Sequence, residues 1–328
     1  MTTTASTAGR WVRRAAGMAG VVLGIAVVNF FLLHLAPGDA AQVLAGESSA
    51  ATPEYIAALR QQFGLDQPLW RQFLLYLGKL LTFDLGWSFR QGMSVSALIL
   101  DRLPATLLLM GASIGSAFVI GSTLGTIAAR SSGGFADAAV STVALLFYAT
   151  PVFWIGLVLT VVFSVWLDWL PVGGMTTIGA SYAGLAYLSD VARHLVLPAT
   201  TLSLFYVAIY TRLTRASVLE AQRQDFVRTA RAKGLSPRRI LFRHVLRNAL
   251  LPGLTLLGVQ IGSVLGGAVL VETVFAWPGL GRLAFEALFQ RDLNLLLGIL
   301  LCSSIVVVVT NLAVDLAYAA LDPRIEAV

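Results

Sequence analysis

The chain has 328 residues, of which 57% are hydrophobic and only 12% charged, with a formal net charge of +6. Soluble domains carry about 25% charged residues, whereas several uncharged runs here approach or exceed the ~20 residues that cross a bilayer. A soluble globular domain is excluded, and the basic balance reads as Lys and Arg held on the inner side of a membrane rather than as a nucleic-acid surface. With one cysteine, Cys302, in an apolar run, the chain can build no internal disulfide framework and no cysteine metal site.

In chain order, the first span is expected over 15–36, behind Arg10, Arg13 and Arg14, which keep the N-terminus inside. Its apolar run is longer than the roughly 7–15 residues of a signal-peptide core, so it is read as a retained anchor. Residues 37–102 have no excess of Lys and Arg over their six acids and are placed outside as a small extracytoplasmic subdomain. Amphipathic helices are expected there near 53–63 and 69–81, with turns at Gly64-Leu65-Asp66 and at Gly86. The subdomain either covers the outer ends of the helices or receives a partner protein.

The second and third spans, 103–129 and 138–167, are joined by a tight loop carrying Arg130 and Asp137. Thr150-Pro151 should kink the third, because proline removes a backbone donor. An outer loop over 171–194 precedes a short fourth span, 195–211. A basic passage over 212–252 leads to the fifth span, 253–271. An outer loop, 272–292, and the sixth span, 293–314, complete the topology. The fold class is thus all-α: a polytopic helical membrane protein with six spans and both termini cytoplasmic. Its parts are a tail with the first span (1–36), the outer subdomain (37–102), a core (103–320) that carries the 212–252 loop, and a tail (321–328).

The basic passage is unlike any other polar stretch of the chain. From Arg212 to Arg247 it holds ten Lys and Arg against two acids, Glu220 and Asp225. Asp225 can cap a short helix, Lys233 suits its C-terminus, and Gly234 stands where a C′ glycine would. Ser236 and Pro237 then look like the N-cap and first residue of a second helix. An ordered basic surface of this kind is suited to touching a partner.

Small residues recur at helix-packing spacing: Gly111/Gly115 and Gly121/Gly125 in the second span, and Gly258, Gly262 and Gly266 in the fifth. In lipid, such ridges let backbones approach closely. Packing is the favoured reading, and room for a translocation path along the fifth span is the sharper one.

Catalytic and ion-coupled readings find little support. Gly111-Ala112-Ser113-Ile114-Gly115 fits the G-x-S-x-G pattern of hydrolase nucleophiles, but it lies in a continuous apolar helix instead of a strand–turn–helix. His34, His194 and His244 are scattered and form no triad or ligand cluster. No G-x-x-x-x-G-K-[ST] occurs, so the chain builds no P-loop of its own. An ion-coupled carrier buries ionisable groups at membrane depth, and the apolar cores of the second, third, fifth and sixth spans contain none; His34 is the only candidate. Energy must then reach the chain from a partner, and the basic passage is the obvious port.

The run DFVRTARAKGLSPRRILFRHVLRNALLP at 225–252 resembles the cytoplasmic signature of permease subunits of bacterial ABC importers, closest to the dipeptide/oligopeptide/nickel branch. The resemblance continues through LAPGDA (35–40), LRQQFGLDQPLWRQF (59–73), DLGWSFR (84–90) and RLPATLLL (102–109). It extends to ETVFAWPGLGRLAFEAL (272–288) and NLAVDLAYAALDPR (311–324), and the long first outer loop is similar to that of the B-type subunit. Of the general family pattern (Glu-Ala-Ala, three residues, Gly, nine residues, Ile, one residue, Leu-Pro) only Ala230, Gly234 and Leu246 match, with Arg228 at the Glu position.

The resemblance implies a type I ABC importer permease fold, multi-pass in the bacterial inner membrane. It implies that Asp225, Arg228, Thr229, Ala230, Arg231, Ala232, Lys233 and Gly234 form the coupling helix that docks in a groove of the ATPase, where Arg228, Arg231 and Lys233 could meet acids. The implied partners are a homologous C-type permease subunit, two ABC ATPase subunits, an extracytoplasmic substrate-binding protein and membrane lipid, with no nucleic acid. The two outer loops are the expected contacts of the binding protein. This chain would bind no cofactor, ATP and Mg being held by the partner subunits. The cargo would be di- or oligopeptides, with a nickel complex, glutathione or haem as alternatives within the same class.

Overall fold

The computed structural model describes residues 7–35, 52–62 and 65–321. It is built almost wholly of helices. These are α1 (Thr7–Leu35), α2 (Pro53–Gln62), α3 (Leu69–Leu81), α4 (Val95–Arg130), α5 (Phe135–Ala149), α6 (Val152–Thr160) and α7 (Leu185–Ala221). They continue with α8 (Asp225–Ala232), α9 (Pro237–Ile240), α10 (Leu246–Ala249), α11 (Leu251–Val274), α12 (Leu280–Phe289) and α13 (Leu293–Leu321). A two-residue hairpin, β1 (Trp87–Ser88) and β2 (Met93–Ser94), pairs antiparallel with Trp87 opposite Ser94. The turn residue Gly64, the LAPGDA motif from residue 36 onward and the tail from residue 322 lie outside the described residues.

Among the described residues, four helical stretches are long and apolar enough to cross a membrane: Ala16–Leu35, Val95–Arg130, Leu185–Ala221 and Leu293–Ala313. The fifth expected span falls on α11, where the surroundings of residues 261–267 lie outside the description. The third expected span is not one kinked helix. Its halves, Phe135–Ala149 and Val152–Trp166, meet at 103°. Pro151 cannot donate to the ladder, and the residue before a proline is pushed out of the helical region. Thr150 accordingly lies at φ −88°, ψ 134°, so the helix ends there instead of bending. A π-helical turn, Val161–Trp166, closes the second half. The fourth expected span, 195–211, lies inside a longer helix. Residues 185–194, expected in a loop, and residues 212–221, expected in the basic passage, are both part of α7.

The chain forms two compact units, Met1–Asp101 with Ala284–Val309, and Arg102–Leu283 with Thr310–Val328. In the first, Phe30 of α1 meets the rings of Phe73 and Tyr76 on α3 at 5.1 and 5.8 Å. Asn29, buried in an otherwise apolar span, donates its amide to the backbone oxygen of Leu297 on α13 at 3.1 Å. That satisfies a group which would be costly to bury alone. His34 lies with its ring nitrogens against Gln72 Oε1 and the Phe30 oxygen.

In the second unit, α7 packs against α5, α6 and α11. Its core gathers Leu109, Leu202, Tyr206, Tyr210, Phe275 and Trp277. The small-residue ridges of α4 divide in their roles. A Cβ at Gly121 would stand 2.6 Å from Tyr210 Cβ, and one at Gly125 would stand 2.5 Å from the Thr211 oxygen, so this pair lets α4 and α7 touch backbone to backbone. Gly111 and Gly115 meet nothing within 4 Å.

The two ridges should therefore respond oppositely. Gly125→Val should destabilise the purified protein by ~2 kcal/mol or more, since the facing atoms are backbone and cannot yield. Gly111→Ala should be neutral or stabilising by up to ~1 kcal/mol through helix propensity. Thermal unfolding in detergent, read side by side for the two variants, checks both.

Candidate functional site

Helix α8 follows the end of α7 after only three residues. Gln224, extended at φ −73°, ψ 153°, takes the N-cap position, one residue ahead of the expected Asp225. Asp225 instead occupies the first turn, where its charge still suits the helix dipole. At the other end the expected glycine signal is present in full. Gly234 sits at φ +74°, its N–H donates to the Arg231 oxygen at 2.9 Å, and the Leu235 N–H donates to the Ala230 oxygen at 3.2 Å. This pair of bonds is the Schellman arrangement, which consumes the last orphan carbonyls and favours glycine at the left-handed position. Ser236 and Pro237 begin α9 as expected, although the Ser236 side chain makes no capping bond.

The face that α8 buries is narrow. Val227 and Ala230, three residues apart, are buried in a small core with Ala129, Val218, Ala221, Ile240, Leu241 and Val245. This core joins α8 to the end of α7 and to the π-helical turn Leu241–Val245 that follows α9. The coupling residues named from the sequence are thus split by the fold. Ala230 points inward and holds the helix down, while Asp225, Arg228, Thr229, Arg231, Ala232, Lys233 and Gly234 are exposed. Arg228 Nη1 lies 3.4 Å from Asp225 Oδ1, but both side chains are largely in solvent, so the pair adds little and leaves Arg228 free to exchange partners.

A second feature steadies the same end of the molecule. Arg215 on α7 grips Asp137 in a fork, with Nε–Oδ1 at 2.6 Å and Nη2–Oδ2 at 2.7 Å. The Gly133 N–H donates to the same carboxylate at 2.9 Å. A two-pronged guanidinium–carboxylate pair fixes direction as well as distance, so the 131–134 turn is locked against α7. Nothing in the sequence pairs residues 137 and 215, which are 78 positions apart.

The stretch expected as an outer loop, 272–292, turns several side chains inward. Glu272, Phe275, Trp277, Leu280 and Leu283 are buried. The Glu272 carboxylate accepts the Thr106 hydroxyl at 2.8 Å and the Arg282 N–H at 2.9 Å, and Thr106 Oγ1 accepts the Leu280 N–H at 2.7 Å. Trp277 Nε1 donates to the Ala105 oxygen at 2.9 Å. A Cβ at Gly279 would collide with the Glu272 carboxylate, which is why glycine stands there. These bonds make a polar knot that ties α11, the start of α12 and α4 together. Ala276, Phe285, Leu288 and Phe289 of the same stretch are exposed.

The remaining candidates resolve simply. Ser113 is buried on α4 and donates to its own Leu109 oxygen at 2.7 Å, as a helical serine does. His194 Nδ1 lies 2.8 Å from the Asp190 oxygen, and the Asp190 carboxylate accepts the Thr177 N–H and hydroxyl, each at 2.7 Å. These bonds fasten the 171–184 loop to α7. Among the described residues no group of His, Cys, Asp and Glu is arranged to hold a metal. Gly258, Gly262 and Gly266 lie on α11, and the surroundings of Gly262 and Gly266 fall outside the described residues.

Comparison with known proteins agrees with this arrangement. Residues 121–327 match the binding-protein-dependent transport system inner membrane component, and residues 10–110 match the N-terminal region of such membrane components. The chain belongs to this family of transport permeases. The permease is 42% identical over 308 residues to a putative peptide permease protein of Brucella ovis, covering 94% of this chain and 95% of that one. It is 40% identical over 320 residues to the oligopeptide transport system permease protein AppB of Bacillus subtilis, covering 96% and 98%. It is 36% identical to the dipeptide transport system permease protein DppB of Escherichia coli K12, covering 92% and 94%. Inward-facing structures of the MetNI methionine ABC transporter share its fold, at a TM-score of 0.54 and 19% identity over 69% of this chain and 96% of that one. The chain is therefore a multi-pass membrane subunit of a transporter, not a catalyst, of the class that works with ATPase and binding-protein partners.

The knot and the helix cap can be tested apart from transport. Glu272→Ala strands the Arg282 N–H and the Thr106 hydroxyl in the interior and should cost on the order of 3 kcal/mol of stability, read as a lower melting temperature of the purified permease. Gly234→Ala meets no steric obstacle but must hold a left-handed conformation, and should cost ~1 kcal/mol, confined to the end of α8. Hydrogen exchange in residues 230–236, compared with that of the α4–α7 interface, measures whether the loosening stays local.

Proposed function

We propose that this chain is one of a pair of homologous permease subunits in an ATP-driven importer of di- and oligopeptides. It works in the bacterial inner membrane, with cargo brought by an extracytoplasmic binding protein. The kinship with peptide permeases over nearly the whole chain supports the cargo class. ATP and Mg would be bound by two separate ATPase subunits.

The observation that carries the coupling role is the two-faced construction of α8. One face is fused to the end of α7 through Val227 and Ala230, and the other presents Arg228, Arg231 and Lys233 to solvent. A groove on an ATPase that takes this helix and supplies acids could move it as a rigid piece, each charged hydrogen bond contributing about 1–3 kcal/mol where partly desolvated. Because α7 is an unbroken helix of 37 residues, about 55 Å long at 1.5 Å per residue, displacement at α8 is delivered along its length. From there it enters the bundle through the contacts of α7 with α4, α5, α6 and α11. Closure of the ATPases would then open the permease pair alternately to either side.

The test uses Gly234→Pro. Proline cannot adopt φ +74° or donate the bond to Arg231. Membrane insertion should be unchanged, and uptake of a labelled dipeptide by cells carrying the full transporter should be lost. Arg228→Glu with Arg231→Glu should reduce copurification of the ATPase at least tenfold. Normal uptake by the proline variant, or transport by the purified chain reconstituted without any ATPase, would sink the assignment.

A further inference from the structure

Helix α3 divides its surface into stripes. At ~100° per residue, Phe73, Tyr76 and Leu80 share one stripe, Trp70, Leu74 and Leu81 the next, and Arg71 and Lys79 take the opposite side. The first stripe is covered, the Phe73 and Tyr76 rings standing 5.1 and 5.8 Å from that of Phe30 on α1. The second is bare. Trp70, Leu74 and Leu81 are each more than half exposed, and a contiguous apolar row of this kind marks a contact surface. Leu75 departs from the pattern, as an exposed leucine on the polar side.

The contacts of α3 fix the level at which the bare row stands. The apolar span of α1 is Ala16–Leu35, and Arg10, Arg13 and Arg14 precede it on the inner side, so Leu35 marks its outer end. Phe30 is five residues before Leu35, or ~7.5 Å inside that end. Helix α3 therefore packs on a part of α1 that crosses the membrane, not on a segment beyond it. His34 repeats the anchor one turn further out, its Nε2 lying 2.9 Å from Gln72 Oε1. In the same last two turns α1 leaves Val28, Phe31 and Leu35 exposed, so the row on α3 extends an apolar surface that the span already presents. The rest of α3 fits that level. The Trp70 and Tyr76 rings are of the kind enriched where acyl chains meet headgroups, and Arg71 and Lys79 put positive charge on the side turned from the hydrocarbon, as anionic headgroups require.

We infer that α3 is an interfacial helix lying in the outer leaflet, with Trp70, Leu74 and Leu81 among the acyl chains and Arg71 and Lys79 at the headgroups. The partner of the bare row is the lipid bilayer, not a binding protein and not a second permease subunit. The extracytoplasmic segment is thereby pinned to the membrane surface beside the end of α1. The inference needs only the membrane placement of α1 and is independent of the cargo and of the ATPase.

The experiment uses the full chain, assembled with its partner subunits in nanodiscs of phosphatidylethanolamine and phosphatidylglycerol. Since Cys302 is the one cysteine, C302S gives a background for W70C, L74C, L81C and R71C, each labelled with a nitroxide. Accessibility to oxygen, which concentrates in the bilayer, is compared with accessibility to a water-soluble nickel chelate. The oxygen-to-nickel ratio should be several-fold higher at 70, 74 and 81 than at 71, and should stay so when the binding protein is added. Should C302S fail to fold, the native chain serves in its place: brominated phosphatidylcholine should quench its tryptophan emission, and W70F should lose part of that quenching. Nickel accessibility at 74 and 81 equal to that at 71 would place the row in water. Labels at 70, 74 and 81 that are immobilised and shielded from both reagents, or that become so on adding the binding protein, would show a protein covering it. Either result, or quenching undiminished in W70F, would overturn the inference.

Discussion

The contact of Val227 and Ala230 with the last turns of α7 is the constraint on which the rest of this permease depends. A helix of eight residues is too short to be stable alone in water, so α8 exists as a helix because its apolar pair is buried and its end is closed by Gly234. The same burial makes it mechanically continuous with α7. Had α8 been attached by a flexible linker, a push on its basic face would be absorbed by the linker and would not reach the bundle.

Around that anchor, the second unit is stiffened by devices of different physical kinds. Gly121 and Gly125 remove side chains so that α4 and α7 can touch. Asp137 and Arg215 add a directional charge pair at the end where α8 begins. Glu272 uses a buried carboxylate to gather backbone donors from the start of α12, leaving Thr106 to satisfy one more. The last two solve the problem that polar groups held away from water must be paired. Together they fasten α7 to its neighbours in this unit.

A cleft lined by Arg130, Arg231 and Arg238 opens in the same region. The anchor core and the cleft share Val227, Ile240, Leu241 and Val245. The residues that hold α8 down also form the wall of the opening in which the three arginines meet.

Much of this was legible in the chain itself. Composition and the lengths of the uncharged runs determine an all-helical membrane protein, because in lipid the backbone must satisfy its own hydrogen bonds. The cap signals at Gly234, Ser236 and Pro237 placed α8 and α9, because those residues act through local dihedrals. Sequence did not disclose which face of α8 is buried, which glycine ridge is a contact, or that Asp137 belongs to Arg215, since each depends on residues far apart in the chain. Pattern suggests a kink at Pro151 and an outer loop over 272–292 with no buried polar knot. Tertiary structure decided otherwise, because a proline at a span's midpoint can end a helix outright, and because a polar motif is compatible with the interior when every donor and acceptor finds its partner there.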